Sequence, residues 1–245
     1  DVKRCVRING NPTFVGGGFF SPTRFARVWP GVDFVLVNDT GSLASFQEWA
    51  SQGDGGVIDV LPGANLDVAG YEFGDGSARG SGGAIHAGHN ANVRLTDCSF
   101  FNLNAEDFGG AVSLFDALKA IIDNCSFVGN TATLDGCDVY SESAYTDLPP
   151  VSIGGSQFEG ACDKARIVQS SRRFLLKGNT ISTPDSAAAA AASRDTAISA
   201  GSATVVPKPS ANAKASSHPR WPLRAKSQAI DSPRGKRPIS RPRTK

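Results

Sequence analysis

Between Gly55 and Tyr140 the sequence writes one pattern three times and begins a fourth. Gly55-Gly56-Val57-Ile58 returns as Gly82-Gly83-Ala84-Ile85, as Gly109-Gly110-Ala111-Val112 and, altered, as Gly136-Cys137-Asp138-Val139, each time 27 residues on. The rest of the unit keeps the same step: Phe73, Phe100 and Phe127; Val68, Leu95 and Ile122; Leu66, Val93 and Ala120. A fixed period of this length marks a solenoid, in which one supersecondary unit stacks on the next. The unit is too short for two helices with their turns. Ile58 and Val60 flank Asp59, and Val93 and Leu95 flank Arg94; such alternation, bounded by Gly and Asn, reads as short strands. At about 3.3 Å per residue one unit makes a loop of about three short strands, and stacked loops place equivalent residues ~4.8 Å apart. The expected fold is therefore all-β, a parallel β-helix solenoid. Its paired glycines suit turns that need φ > 0 or close backbone approach. Gly70, Asp97 and Asn124 share one turn position, and all three types tolerate a left-handed backbone.

The Gly-Gly-Ala-Ile motif, in Gly82 to Ile85 and Gly109 to Val112, occurs with a Phe-x-x-Asn motif, Phe127-Val128-Gly129-Asn130. Together they resemble the repeats of the polymorphic outer membrane protein family. An earlier Phe-x-x-Asn copy fits from Phe101 to Asn104, one residue out of register with Phe100. The resemblance covers roughly Asn38 to Ile181 and implies a right-handed parallel β-helix of the pectin-lyase-like type. It is specific for fold and weak for function.

The flanks differ from the repeats. Residues 1–182 carry 13 Lys and Arg against 20 Asp and Glu, a net of −7, while residues 183–245 carry 12 against 3, a net of +9. Eight of the 14 prolines fall in that last stretch. This predicts a β-helix domain over 38–182 followed by a disordered, basic, Pro/Ser/Ala-rich tail over 183–245. Residues 1–37 read as a lead-in segment or the end of a preceding domain. Ser42 to Gln52 predicts a capping helix: Ser42 is an N-cap type, Leu43, Phe46 and Trp49-Ala50 share a face, and Gly53-Asp54-Gly55 stops it. Such a helix would cover the open end of the first coil. Beyond Tyr140, Ile153 and Phe158 repeat Ile122 and Phe127 after 31 residues, so four extra residues fall in a loop over Ser141 to Pro150; Leu176 and Ile181 follow after 23. About five coils are expected.

The chain opens at Asp1 and contains no Met, so it reads as a fragment or a processed form. No apolar run reaches the ~18 residues of a membrane-spanning helix. The five cysteines include no Cys-x-x-Cys pair, which disfavours a metal centre. Cys98 and Cys125 occupy equivalent positions one coil apart, close enough for a disulfide, although stacked free thiols also serve as small core residues; the free ladder is the favoured reading. Asn38-Asp39-Thr40 and Asn124-Cys125-Ser126 are glycosylation sequons and lend modest support to secretion.

Candidate chemistry lies on outward rows. Asp59, His86 and Ser113 share one position on three coils, in the order acid, base, nucleophile. A regular flat strand offers no strained elbow or oxyanion donors, so the row is read as a polar ladder and as a candidate binding row. Asp97 and Asp123 are the one carboxylate pair placed close together, and stacked turn residues account for them. Asp67 is expected beside Arg94 as a surface ion pair. His86 and His89 lack a third ligand, so no metal centre is assigned. Asp75 to Gly83 is similar to a single imperfect calcium nonapeptide, which leaves calcium as the one candidate cofactor.

The expected function is a noncatalytic domain of an extracellular or surface-displayed protein, serving adhesion or binding of carbohydrate or a cell-surface protein, since solenoid faces present stacked polar rows. The alternative, carried by the family resemblance, is a pectin-lyase-like enzyme: a glycoside hydrolase working through paired acids, or a polysaccharide lyase working through calcium-binding carboxylates and a basic Arg or Lys. An acidic domain disfavours specific nucleic-acid binding.

Overall fold

The computed structural model describes residues 1–10, 12–16, 23–40, 44–145, 147–162, 164–170 and 174–182. In them the chain passes repeatedly through the same series of parallel sheets, making about six turns. Sheet I holds Ala26–Val28, Ile58–Val60, Ile85–Ala87, Val112–Phe115, Val139–Glu142 and Ile167–Ser170. Sheet II holds Val6–Asn9, Asp33–Val37, Asn65–Ala69, Asn92–Thr96, Lys119–Asp123, Val151–Gly154 and Phe174–Lys177. Sheet III holds Thr13–Val15, Ala44–Gln47, Tyr71–Gly74, Ser99–Phe101, Ser126–Val128, Gln157–Glu159 and Thr180–Ile181. A short sheet IV of Ala50–Ser51, Ser77–Ala78, Asn104–Ala105 and Thr131–Ala132 closes the middle coils.

The period-2 alternation explains what fills the interior. Ile58, Ile85, Val112 and Val139 are fully buried in one row, as are Val68, Leu95, Ile122 and Ile153 in another. Phe46, Phe73, Phe100, Phe127 and Phe158 stack face to face with centroids 5.1, 5.0, 4.9 and 4.8 Å apart, the ladder that the 27-residue step predicts. Cys98 and Cys125 lie in the same interior as free thiols.

The glycine pair has two separate causes. The first member adopts a left-handed backbone, φ +64° at Gly55 and +74° at Gly82. The second leaves room for the next coil: a Cβ on Gly56 would stand 2.0 Å from the Gly83 carbonyl oxygen, and one on Gly83 2.1 Å from that of Gly110. Asp97 and Asn124 are also left-handed, at φ +53° and +52°, in line with Gly70 at +72°.

Three expectations change. The helix over Ser42 to Gln52 is not formed: Ala44–Gln47 and Ala50–Ser51 are strands, and Ser42 and Leu43 lie outside the described residues. Phe46 pairs with Phe73 across sheet III, so the segment gains inter-coil hydrogen bonds and a ladder site that a helix would forgo. A left-handed Glu48 at φ +57° turns the chain between the two strands, and Trp49 beyond it packs edge-on to Phe25 with ring centroids 5.5 Å apart. The coils number about six instead of five, because the segment from Ala26 to Ser51 is itself a coil. The stack also begins before Asn38, since Val6–Asn9 pairs with Asp33–Val37 and Thr13–Val15 with Ala44–Gln47. No helix occurs among the described residues, and thus none long and apolar enough to cross a membrane. The basic tail, 183–245, lies outside them.

Candidate binding face

The outward positions of sheet I form a row through successive coils: Arg27, Asp59, His86, Ser113, Tyr140, Val168. The repeat thus brings Asp59, His86 and Ser113 side by side, as its frame requires. Their surroundings differ from a solvated ladder. Asp59 is 5% exposed. Its Oδ1 faces His86 Nδ1 at 3.1 Å, and its Oδ2 accepts from Arg27 Nε at 3.1 Å and from Arg24. Arg24 also donates to Ser51 Oγ at 3.0 Å. Burial raises the Asp59 carboxyl, but the His86 hydrogen bond and the Arg24 charge outweigh it and hold it below its ordinary value. A carboxylate opposite Nδ1 favours the Nδ1–H tautomer of His86.

Ser113 is fully buried although it points outward between the inward Val112 and Leu114, and its Oγ has no hydrogen-bond partner. The rings around it close over it. Tyr140, next in its row, stacks on Phe108 with centroids 4.3 Å apart, and Phe115 lies 5.6 Å from Tyr140 and 5.8 Å from His86. Acid and base are therefore in contact, but the base makes no hydrogen bond to the hydroxyl, which is buried away from solvent. The arrangement does not assemble an acyl-transfer relay.

The rings adjoin the four-residue insertion. Asp116, directly after Phe115, accepts from Ser143 Oγ at 3.0 Å and Ala144 N at 2.7 Å, which ties the loop to the coil. Tyr145 is 49% exposed and its ring stands 5.5 Å from His89. His89 Nδ1 is 3.9 Å from Asp116 Oδ2. The ring cluster thus comprises Phe108, Tyr140 and Phe115, and Asp116 links it to the loop that carries Tyr145. Sequence reading missed Phe108, Phe115, Tyr140 and Arg24. The signal lay in the repeat frame: Phe108 stands where earlier coils carry Asp54 and Ser81, and Phe115 where the coil before carries Gly88.

Asp97 and Asp123 sit on the turn between sheets II and III. Asp97 N donates to the Asp123 carbonyl at 3.1 Å, while the Asp97 carboxylate accepts from Asn124. The contact between the two residues is thus through backbone, and Asp123 opposes Thr96 in register. Asp75 likewise accepts from Asn102, at 3.1 Å, on its own left-handed turn. Asp67 and Arg94 stand opposite each other, yet no ion pair joins them, since both point into solvent from a flat strand. His86 and His89 turn to separate carboxylates. No group of three or more His, Cys, Asp or Glu able to hold a metal occurs among the described residues.

A second polar site, unforeseen from the sequence, lies inside the last coils. Asp138 takes the row position of Ala84 and Ala111 and is fully buried. Arg166 Nη1 donates to its Oδ2 at 2.7 Å and Asn130 Nδ2 to its Oδ1 at 2.9 Å. Burial raises this carboxyl against the pull of Arg166. Beside it, Cys137 and Cys162 form a disulfide. The sealed network has no access for a ligand and reads as a structural clasp. No family model, no curated protein and no solved structure matches this chain.

Proposed function

We propose that this chain is a noncatalytic binding domain of an extracellular or surface-displayed protein, and that it engages a carbohydrate or protein partner on the outer face of sheet I and the adjoining 141–150 loop. The observation that carries this reading is the ring cluster of Phe108, Phe115 and the buried Tyr140, with the exposed Tyr145 on the adjoining loop, set in the same sheet as an Asp59 already occupied by Arg24, Arg27 and His86. Aromatic side chains offer large contact area at low conformational-entropy cost and are favoured at recognition surfaces. The Cys137–Cys162 bond supports an oxidising location. The Gly-Gly-Ala-Ile repeats support the finer reading, a right-handed pectin-lyase-like β-helix related to polymorphic outer membrane protein repeats.

The test is a screen of the purified chain against polyuronates, neutral polysaccharides and candidate surface proteins, with and without calcium. Retention without turnover, weakened by Phe115→Ala or Tyr145→Ala, is expected. Accumulation of unsaturated or reducing ends that Asp97→Asn or Asp123→Asn abolishes would replace this reading with a polysaccharide lyase or glycoside hydrolase.

A further inference from the structure

The charges around the ring cluster narrow the partner. Glu142 Oε2 accepts the Tyr140 hydroxyl at 3.0 Å, and Asp135 Oδ1 accepts from the backbone of Gly136 at 2.9 Å. Among the described residues neither carboxylate has a Lys or Arg partner, and Arg24 and Arg27, at the far end of the row, are both drawn to Asp59. Both carboxylates act on Tyr140, whose hydroxyl is held above its ordinary value by burial first and then by Glu142 and Asp135. Beside Phe108 in sequence, the Asp107 carboxyl is raised by burial first and then by Asp54 and Glu106. The partly buried rings of Phe108 and Phe115, with negative faces, and the buried ring of Tyr140 thus lie beside carboxylates that no Lys or Arg matches. Beneath them Ser113 Oγ is buried without a partner, an acceptor that natural interiors seldom leave idle.

Resting on the binding role above, we infer that this face receives a basic segment of a partner protein, with an Arg or Lys side chain lying over the partly exposed ring of Phe115, beside the buried Tyr140, and its N–H groups directed to Glu142 and Asp135. A cation over an aromatic ring is attracted by the ring quadrupole, and the attraction strengthens as water is excluded. A charged donor also forms stronger hydrogen bonds to carboxylates than a neutral one. A neutral sugar offers hydroxyl donors to the carboxylates but leaves their charge unmatched, and an anionic polymer would be repelled.

The test uses the full chain and short fluorescent peptides in which Ser alternates with Arg, Lys, Gln or Glu, read by anisotropy at low and high salt. The Arg peptide is expected to bind best, the Gln and Glu peptides weakly. Phe115→Ala, or Glu142→Gln with Asp135→Asn, is expected to weaken the Arg peptide about fivefold, the scale of one cation–ring contact. Asp33→Asn with Asp67→Asn, remote from the face, is expected to leave it unchanged. Circular dichroism and melting of each variant separate lost folding from lost binding. Equal binding of Arg and Gln peptides, or equal weakening by the remote pair, would overturn the inference. If neutral polysaccharide or the Gln peptide binds and Phe115→Ala removes it, the cationic partner falls while the binding face stands. If nothing that binds responds to Phe115→Ala, both fall.

Discussion

The coils between Ile58 and Ala132 and those after Gly136 solve the same stacking problem in different ways. In the first region the register holds at 27 residues in every sheet, from Ile58 to Ile85 to Val112 and from Phe73 to Phe100 to Phe127. After Gly136 the offsets become 28 in sheet I, 31 in sheets II and III, and then 23. Where the register holds, each inward side chain meets a similar one above and below, and small residues such as Ala84 and Ala111 suffice beside the glycines. Where it slips, Asp138 replaces the alanine, Arg166 and Asn130 answer it, and a disulfide joins Cys137 to Cys162. Repetition distributes stability over many equivalent contacts; irregular coils concentrate it in a few specific bonds. A buried ion pair is no stronger than the apolar packing it replaces, but it is costly to break one-sidedly.

The comparison can be broken most severely in the regular region. Phe100 lies between Phe73 and Phe127, nearly parallel to both. Phe100→Ala is expected to lower unfolding free energy by about 3–5 kcal/mol, through lost transfer energy and a cavity that rigid coils cannot close. A loss below about 1 kcal/mol in denaturant titration would contradict the ladder.

In the irregular region Arg166→Ala leaves Asp138 buried and short of its partner, and is expected to cost about 3–4 kcal/mol. The double change Asp138→Leu with Arg166→Met tests the contrast directly: it converts the clasp back to apolar stacking and is expected to restore most of that stability. Failure of the double variant to recover would show that the network specifies the irregular register beyond its charge pairing.

Reducing Cys137–Cys162, which spans 25 residues, is expected to cost about 3 kcal/mol by the loop-entropy argument. Hydrogen exchange should then rise in the coils after Gly136 and stay unchanged between Ile58 and Ala132. Uniform loosening of both regions would argue against independent local support.

The smallest effect is acid sensitivity. The folded Asp59 carboxyl lies below the ordinary 3.8, so its contribution is present above that pH and lost as pH falls through the lower folded value. Asp138 is raised, so its contribution runs the other way, present below 3.8 and lost as pH rises through the folded value. Asp59→Asn should therefore make the acid limb of stability shallower, and Asp138→Asn should make it steeper, with the Asp59 change under about 1 kcal/mol because Arg27 is partly solvated. Identical acid limbs for the two variants would refute the assignment.

The periodic half of this architecture was legible because equivalent residues in a solenoid must stack on each other. A step of 27 residues was enough to align Phe73 with Phe100, to place Asp97 and Asn124 on left-handed turns, and to set Asp59, His86 and Ser113 in one row. The segment 44–51 was misread because Phe46 and Trp49-Ala50 satisfy helical spacing as well as the strand positions they take, and only pairing with Phe73 separates the two. Nothing periodic announces Arg24 on Asp59, the rings over Ser113, or Cys137 on Cys162, since those contacts join residues that are not copies of one another. By itself the sequence determined which residues share a row and which rows face the core, because backbone pairing and side-chain alternation follow from local spacing. Only the tertiary structure decided which outward groups are open, paired or sealed, because side-chain burial depends on neighbours brought together by the turns and insertions.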